Sequence, residues 1–149
     1  MDGRRSLIVE NLRRLRAGRV DTFAQRLRNQ KIHYLLQEAG LSPHVPYNLY
    51  LRGPYSPELS RITHETPKNE PIKGFALHTL ELRFKAVRAF IETLDNRDLE
   101  LLTTFHWLIE YAELEQNDAI EHLKQLKGAS PSELDSVLKR LEEFNHATA

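Results

Sequence analysis

The chain has 149 residues, of which 40% are hydrophobic and 28% charged, and its formal net charge is zero. This length suits one domain that buries roughly two thirds of the surface of the unfolded chain. The chain has no cysteine, which excludes disulfides, thiolate metal sites and a cysteine nucleophile. No apolar run approaches the ~20 residues that span a bilayer, and the N-terminus has no signal-peptide core. The sequence therefore predicts a cytoplasmic globular protein without a membrane partner.

The first helix is expected over 6–17, where apolar residues recur at helical spacing before Gly18. Its solvent face is expected to carry Glu10, Arg13 and Arg14.

A second helix is expected over 22–39, capped by Asp21 or Thr22 and ended by Gly40. Its apolar residues cover more than half of its circumference, which is typical of a central, buried helix. They are Phe23, Leu27, Ile32, Tyr34, Leu35 and Leu36.

A short strand is predicted over 47–52, YNLYLR, between Pro46 and Gly53. Because a single strand is not stable alone, we expect it to pair with the extended, apolar stretch 71–76 in a small two-stranded β-ribbon.

The sequence that follows the strand, GPYSPEL, contains two prolines that are expected to mark the end of the strand and the start of a helix. Gly53 can adopt a positive φ, and Pro54 disfavours helical backbone before it, so this pair is expected to end the strand. Ser56 is a good N-cap and Pro57 suits the first helical position. A rigid bend into a helix over 57–65 is therefore predicted.

The second half of the chain is expected to be helical over 77–94, 98–114, 117–127 and 131–144. The helix 98–114 has two apolar stripes, which predicts packing on both sides and leaves room for a homodimer. The last two helices are joined by a short turn with helix-turn-helix spacing, which an ordinary helical hairpin shares.

No catalytic, metal or cofactor motif is found in the sequence. The seven histidines form no HxxxH or HxH pair, and neither a GxSxG motif nor a glycine-rich phosphate loop is present. His33 and His106 border apolar faces, where hydrogen-bonded structural histidines are expected. The sequence thus predicts a protein that is not an enzyme, although an activity assembled only by tertiary folding stays open.

Positive charge is concentrated in the first part of the chain. Residues 1–61 carry ten arginines and one lysine against five acidic residues, a net charge of +6, and residues 62–149 balance it with −6. Such asymmetry is compatible with DNA contact, with internal ion pairing or with an oppositely charged protein partner. The candidate nucleic-acid-binding residues are Arg4, Arg5, Arg13, Arg14, Arg16 and Arg19.

The predicted strand and bend carry a candidate surface for a protein partner. Tyrosine and arginine are enriched at interface hot spots, and here they are Tyr47, Tyr50, Arg52 and Tyr55. The alternative is that these side chains only cover the ribbon.

The strings RLRNQKIHYLLQEAGL and YNLYLRGPYSPEL, with AIEHLKQLKG and SPSELDSVLKRLEEF, resemble the uncharacterised prokaryotic YwgA-like family over about residues 5–144. More distantly, about residues 22–62 resemble the Panacea (SocA-like) antitoxin domain. The matching residues, interpreted as defining the fold, are Lys31, Tyr34, Gly53, Pro54, Tyr55, Ser56 and Pro57. Arg52 departs from the aromatic or aliphatic residue expected before the Gly-Pro pair. The resemblance implies a winged-helix-like helical domain and, for the second family, toxin neutralisation or transcriptional control.

Together these patterns predict a single, mainly α domain over 1–149 with a small two-stranded β-ribbon. Its basic half would be 1–76 and its acidic helical half 77–149. The expected function is a non-enzymatic regulatory binding module, without metal or cofactor, whose partner is a protein such as a toxin, or DNA. The alternatives are a protein adaptor or structural homodimer without a nucleic-acid role, and a cryptic enzyme.

Overall fold

The architecture comes from a computed structural model that describes residues 3–66 and 78–149, with the side chains of 78 and 79 excepted. The described residues form helices and one two-stranded sheet, which confirms the mainly α fold with a small β-ribbon. In chain order the elements are α1 (Gly3–Arg14), α2 (Phe23–Glu38), β1 (Asn48–Tyr50), β2 (Gly53–Tyr55), α3 (Pro57–Glu65), α4 (His78–Ile91), α5 (Asn96–Glu110), α6 (Gln116–Lys127) and α7 (Pro131–Ala147).

Several helix boundaries follow the capping signals. Thr22 and Ser130 each form a capping box, in which the cap side chain and the third helical residue bond reciprocally. Asp95 forms a third one, which is why α5 begins two residues before its predicted start. Gly128 ends α6 in the left-handed conformation, with φ of 61°.

Within residues 3–66 and 78–149 the core consists of two hydrophobic clusters that meet along α5. Leu99 and Leu102 pack with residues of α1, α2, α3 and α4, whereas Leu101, Phe105 and Leu108 pack with residues of α6 and α7. The predicted two-sided packing of α5 is therefore confirmed.

Two predicted exposures are wrong. Glu10 was expected on the solvent face of α1, but it is only 6% exposed, and burial raises the pKa of its carboxyl group. Phe23 was expected inside, but it is 52% exposed. Its position at the first residue of α2 places it at the edge of the core, where the Arg52 guanidinium lies 5.2 Å from the centre of its ring.

The partner of β1 differs from the prediction. β1 pairs with β2 in an antiparallel hairpin, with Tyr50 opposite Gly53 and Asn48 opposite Tyr55. Gly53 and Pro54 therefore begin the second strand, whereas they were expected to end the first. The predicted mate, 71–76, lies outside the described residues.

The bend into α3 is as predicted. The Ser56 side chain accepts a hydrogen bond from the Leu59 amide, and Pro57 is the first residue of the helix. Within the described ranges, no helix combines the length and apolar character needed to cross a membrane.

Candidate functional site

The hairpin is fastened to α2 by a buried lysine. The Lys31 side chain is 3% exposed, and its Nζ donates a 2.7 Å hydrogen bond to the Pro54 carbonyl. Burial lowers the pKa of this amine to about 8, although Glu100 acts in the opposite direction. Lys31 thus anchors β2 to α2 through a charged group whose burial is costly.

The neighbouring residue of α2 holds the end of the hairpin by a reciprocal pair of hydrogen bonds. Gln30 Nε2 donates to the Ser56 carbonyl at 3.0 Å, and the Ser56 amide donates to Gln30 Oε1 at 2.8 Å. Gln30 and Lys31, which are consecutive residues of α2, therefore fix the backbone at Ser56 and Pro54. These contacts give Lys31 and the Gly53-Pro54 pair a shared structural role.

Gly53 allows this close approach. Its φ is +98°, and a Cβ atom at this position would lie 2.7 Å from Thr104 Oγ1 and 3.1 Å from Lys31 Nζ. Only glycine fits both the backbone conformation and the space. Thr104 belongs to α5 and is fully buried, and nothing in its local sequence pointed to the hairpin.

The hairpin turn is held from the other side by α6. Lys127 Nζ donates to the Leu51 carbonyl and lies 3.4 Å from Glu100 Oε2. Lys127 and Glu100 were not among the predicted site residues, because their contacts arise from three elements that are far apart in sequence.

Tyr47, predicted to bind a partner, takes part in an internal network of hydrogen bonds and ring contacts. Its hydroxyl lies 2.8 Å from His33 Nδ1, and its ring meets Tyr34 edge-on at 5.3 Å. The Tyr34 hydroxyl lies 2.7 Å from His106 Nδ1. The prediction of hydrogen-bonded structural histidines is confirmed for His33 and His106, and burial lowers the pKa of both, that of His33 to about 3.

Of the other three predicted partner-binding residues, Tyr50 and Arg52 lie at the turn end of the hairpin, and Tyr55 lies opposite Asn48 at the other end of β2. Leu51 is 88% exposed and Tyr50 is 49% exposed, and Arg52 is exposed beside Phe23. The rings of Tyr50 and Tyr55 meet edge-on, with 5.5 Å between their centres. We call the surface formed by Tyr50, Leu51, Arg52, Tyr55 and Phe23 the hairpin tip.

The N-terminal arginines serve the fold to a large extent. Arg4 and Arg5 join α1 to α3, and Arg14 joins α1 to α4. Ion pairs join Arg4 to Glu58, Arg5 to Glu65, Arg14 to Glu81 and Arg19 to Asp21. Arg13 is half-buried and Arg16 is exposed just after the end of α1. DNA binding by this set stays a prediction.

Among the described residues, no group of three or more His, Asp or Glu side chains could hold a metal ion. No family model, no curated protein and no solved structure matches the chain. The resemblance to the YwgA-like and Panacea families therefore stays a prediction from the quoted strings.

Proposed function

We propose that this protein is a non-enzymatic regulatory binding module that docks a protein partner through the hairpin tip. One observation carries the proposal: Leu51 is 88% exposed at the end of a hairpin whose backbone is held at Leu51, Pro54 and Ser56. An anchor that is already fixed in place loses little conformational entropy on binding. Exposed aromatic and arginine side chains beside it are typical of hot spots.

The charges around the hairpin tip indicate the chemistry of the partner. Arg52 belongs to the tip, and Arg28 and Arg97 line the cleft beneath it. A complementary surface would offer an apolar pocket for Leu51 with acidic side chains around it. The resemblance to the antitoxin domain makes a toxin the first candidate for this partner.

The test compares two exposed leucines in a reconstituted complex. The partner is first captured with the tagged protein from cells of the organism that encodes it and is then purified. Leu51→Ala and Tyr50→Ala should each weaken its binding at least about 30-fold, as hot-spot residues do. The control is Leu82→Ala, since Leu82 is 57% exposed on α4. Equal affinities for Leu51→Ala and Leu82→Ala would exclude the hairpin tip.

DNA binding is the second candidate, and it is favoured by the net charge of +6 in residues 1–61. In a winged-helix-like arrangement the hairpin would act as the wing. This version predicts affinity for duplex DNA that falls steeply with salt and falls further when Arg13 and Arg16 are replaced by glutamine. A binding curve that responds to neither change would remove it.

A further inference from the structure

A cleft of about 280 Å³ opens beside the hairpin, between α2, the hairpin turn and the first turns of α5. Its lining contains four cationic side chains and a single carboxylate. The lining residues are Leu27, Arg28, Lys31, Arg52, Asn96, Arg97 and Glu100. The formal charge of the lining is therefore +3, within a chain whose net charge is zero.

The single carboxylate of the cleft is already matched by other cations. Glu100 Oε2 lies 3.4 Å from Lys127 Nζ and 4.0 Å from Arg97 Nη1. Arg97 also pairs with Glu133 at 3.0 Å. The positive charge that these pairs leave uncompensated comes from Arg28, Lys31 and Arg52.

The three cations come from two parts of the chain: Arg28 and Lys31 lie three residues apart on α2, and Arg52 lies on the hairpin turn. Arg28 is oriented by its Nη1, which donates to the Leu94 carbonyl at 3.0 Å and to Asn96 Oδ1 at 3.2 Å. Lys31 is buried and is fixed by its hydrogen bond to the Pro54 carbonyl. Arg52 lines the cleft from the exposed turn. One guanidinium and one ammonium are thus fixed before any ligand arrives, and only Arg52 has to be ordered.

A second arginine-rich cleft has a different balance of charge. It has about 180 Å³ and is lined by Arg4, Arg5 and Arg61 together with Glu58 and Glu65. Its two carboxylates pair with Arg4 and Arg5 at 2.9 and 3.0 Å. That cleft is nearly neutralised by its own side chains, whereas the cleft beside the hairpin is not.

We infer that the cleft beside the hairpin binds a small molecule through a phosphate group. Guanidinium groups bind phosphate oxygens in a bidentate manner, and a phosphate dianion matches a charge of +3 better than a single carboxylate does. The volume is near the lower end of that of small-molecule sites. Arg52 belongs both to this cleft and to the hairpin tip, but phosphate binding is measured on the isolated chain and therefore stands or falls without the proposed protein partner.

The test uses the isolated chain of 149 residues, with inorganic phosphate, pyrophosphate and succinate as probes at constant ionic strength. Amide chemical shifts should change in a saturable manner at Leu27, Gly53 and Asn96, with tighter binding of the phosphates than of succinate. Arg52→Gln should weaken phosphate binding about tenfold, the usual effect of losing a charged hydrogen bond. The matched control is Arg61→Gln, because it removes an exposed arginine from the neutralised cleft.

Arg28→Lys is a second variant, because it keeps the positive charge and removes the bidentate guanidinium group. It should also weaken phosphate binding about tenfold. Circular dichroism checks that both variants are folded. Shifts that never saturate, equal losses in Arg52→Gln and Arg61→Gln, or equal affinity for succinate would each overturn the inference. Tighter binding of duplex DNA at the same amides would also overturn it, since the phosphate would then belong to nucleic acid.

Discussion

At Gly53 the backbone passes between two side chains that belong to different helices, Lys31 of α2 and Thr104 of α5. Gly53→Ala combines the strain of a positive φ with a contact of 2.7 Å to Thr104 Oγ1. We expect it to lower the free energy of unfolding by about 2 kcal/mol or more. Gly128→Ala is the matched control, because Gly128 has a φ of +61° but a Cβ atom there would meet nothing within 4 Å. Chemical denaturation measures both.

We expect Gly53→Ala to lower the free energy of unfolding clearly more than Gly128→Ala does. An equal loss would mean that only backbone strain matters and that Lys31 and Thr104 do not confine the hairpin.

Lys31 makes the stability of the protein depend on pH in a direction that is unusual for a lysine. The unfolded chain keeps the lysine proton up to about pH 10.4, whereas the folded chain releases it near a pKa of about 8. Between these values the unfolded state binds more protons, so the free energy of unfolding rises with pH. From pH 8 to pH 9, where the tyrosines of the unfolded chain are still almost entirely neutral, the rise should be about 1 kcal/mol.

Urea denaturation at several pH values measures this rise. Lys31→Met should abolish it, whatever its effect at neutral pH, and Lys139→Met, which removes an exposed lysine of α7, should retain it. A wild-type free energy that stays level or falls over this range would contradict the burial of a charged Lys31.

At the scale of elements, the N-caps of α3 and α7 use the same residue type in different surroundings. Ser56 is fully buried, whereas Ser130 is exposed, and each accepts a hydrogen bond from the amide three residues on. Ser130→Ala should cost about 1 kcal/mol. Ser56→Ala should cost about 2 kcal/mol, because the Leu59 amide would lose its partner where water cannot replace it.

Thermal or chemical denaturation of the two variants tests this difference. Equal costs would indicate that water reaches the Leu59 amide and that the bend into α3 is loosely packed.

The boundaries and pairing of the elements show which parts of the fold could be predicted from the sequence. The cap predicted at Asp21 or Thr22 and the bend predicted at Ser56 and Pro57 are local signals, and the structure confirms them, with Thr22 as the cap. The pairing of β1 with β2 was not predicted, because Pro54 suggested the end of a strand. Proline is tolerated in a strand at the edge of a sheet, and a two-stranded hairpin consists only of edges.

At the scale of the whole molecule, the candidate sites depend on contacts between residues distant in sequence. The hairpin position relies on Lys31, Thr104 and Lys127, and the cleft joins Arg28 to Arg97. Sequence periodicity indicates which helix face is buried, but not which helix it meets. For the same reason, an arginine cluster that suggested a nucleic-acid surface proved to contain several tertiary ion pairs.

The central claim is that the hairpin tip meets a protein partner, and site-specific photo-crosslinking in living cells tests it most directly. A photoreactive amino acid is placed at position 51 in one variant and at position 82 in another, because both native leucines are exposed. We predict one discrete adduct with a second protein from position 51 and none from position 82. No adduct from position 51, or the same adducts from both positions, would contradict the claim.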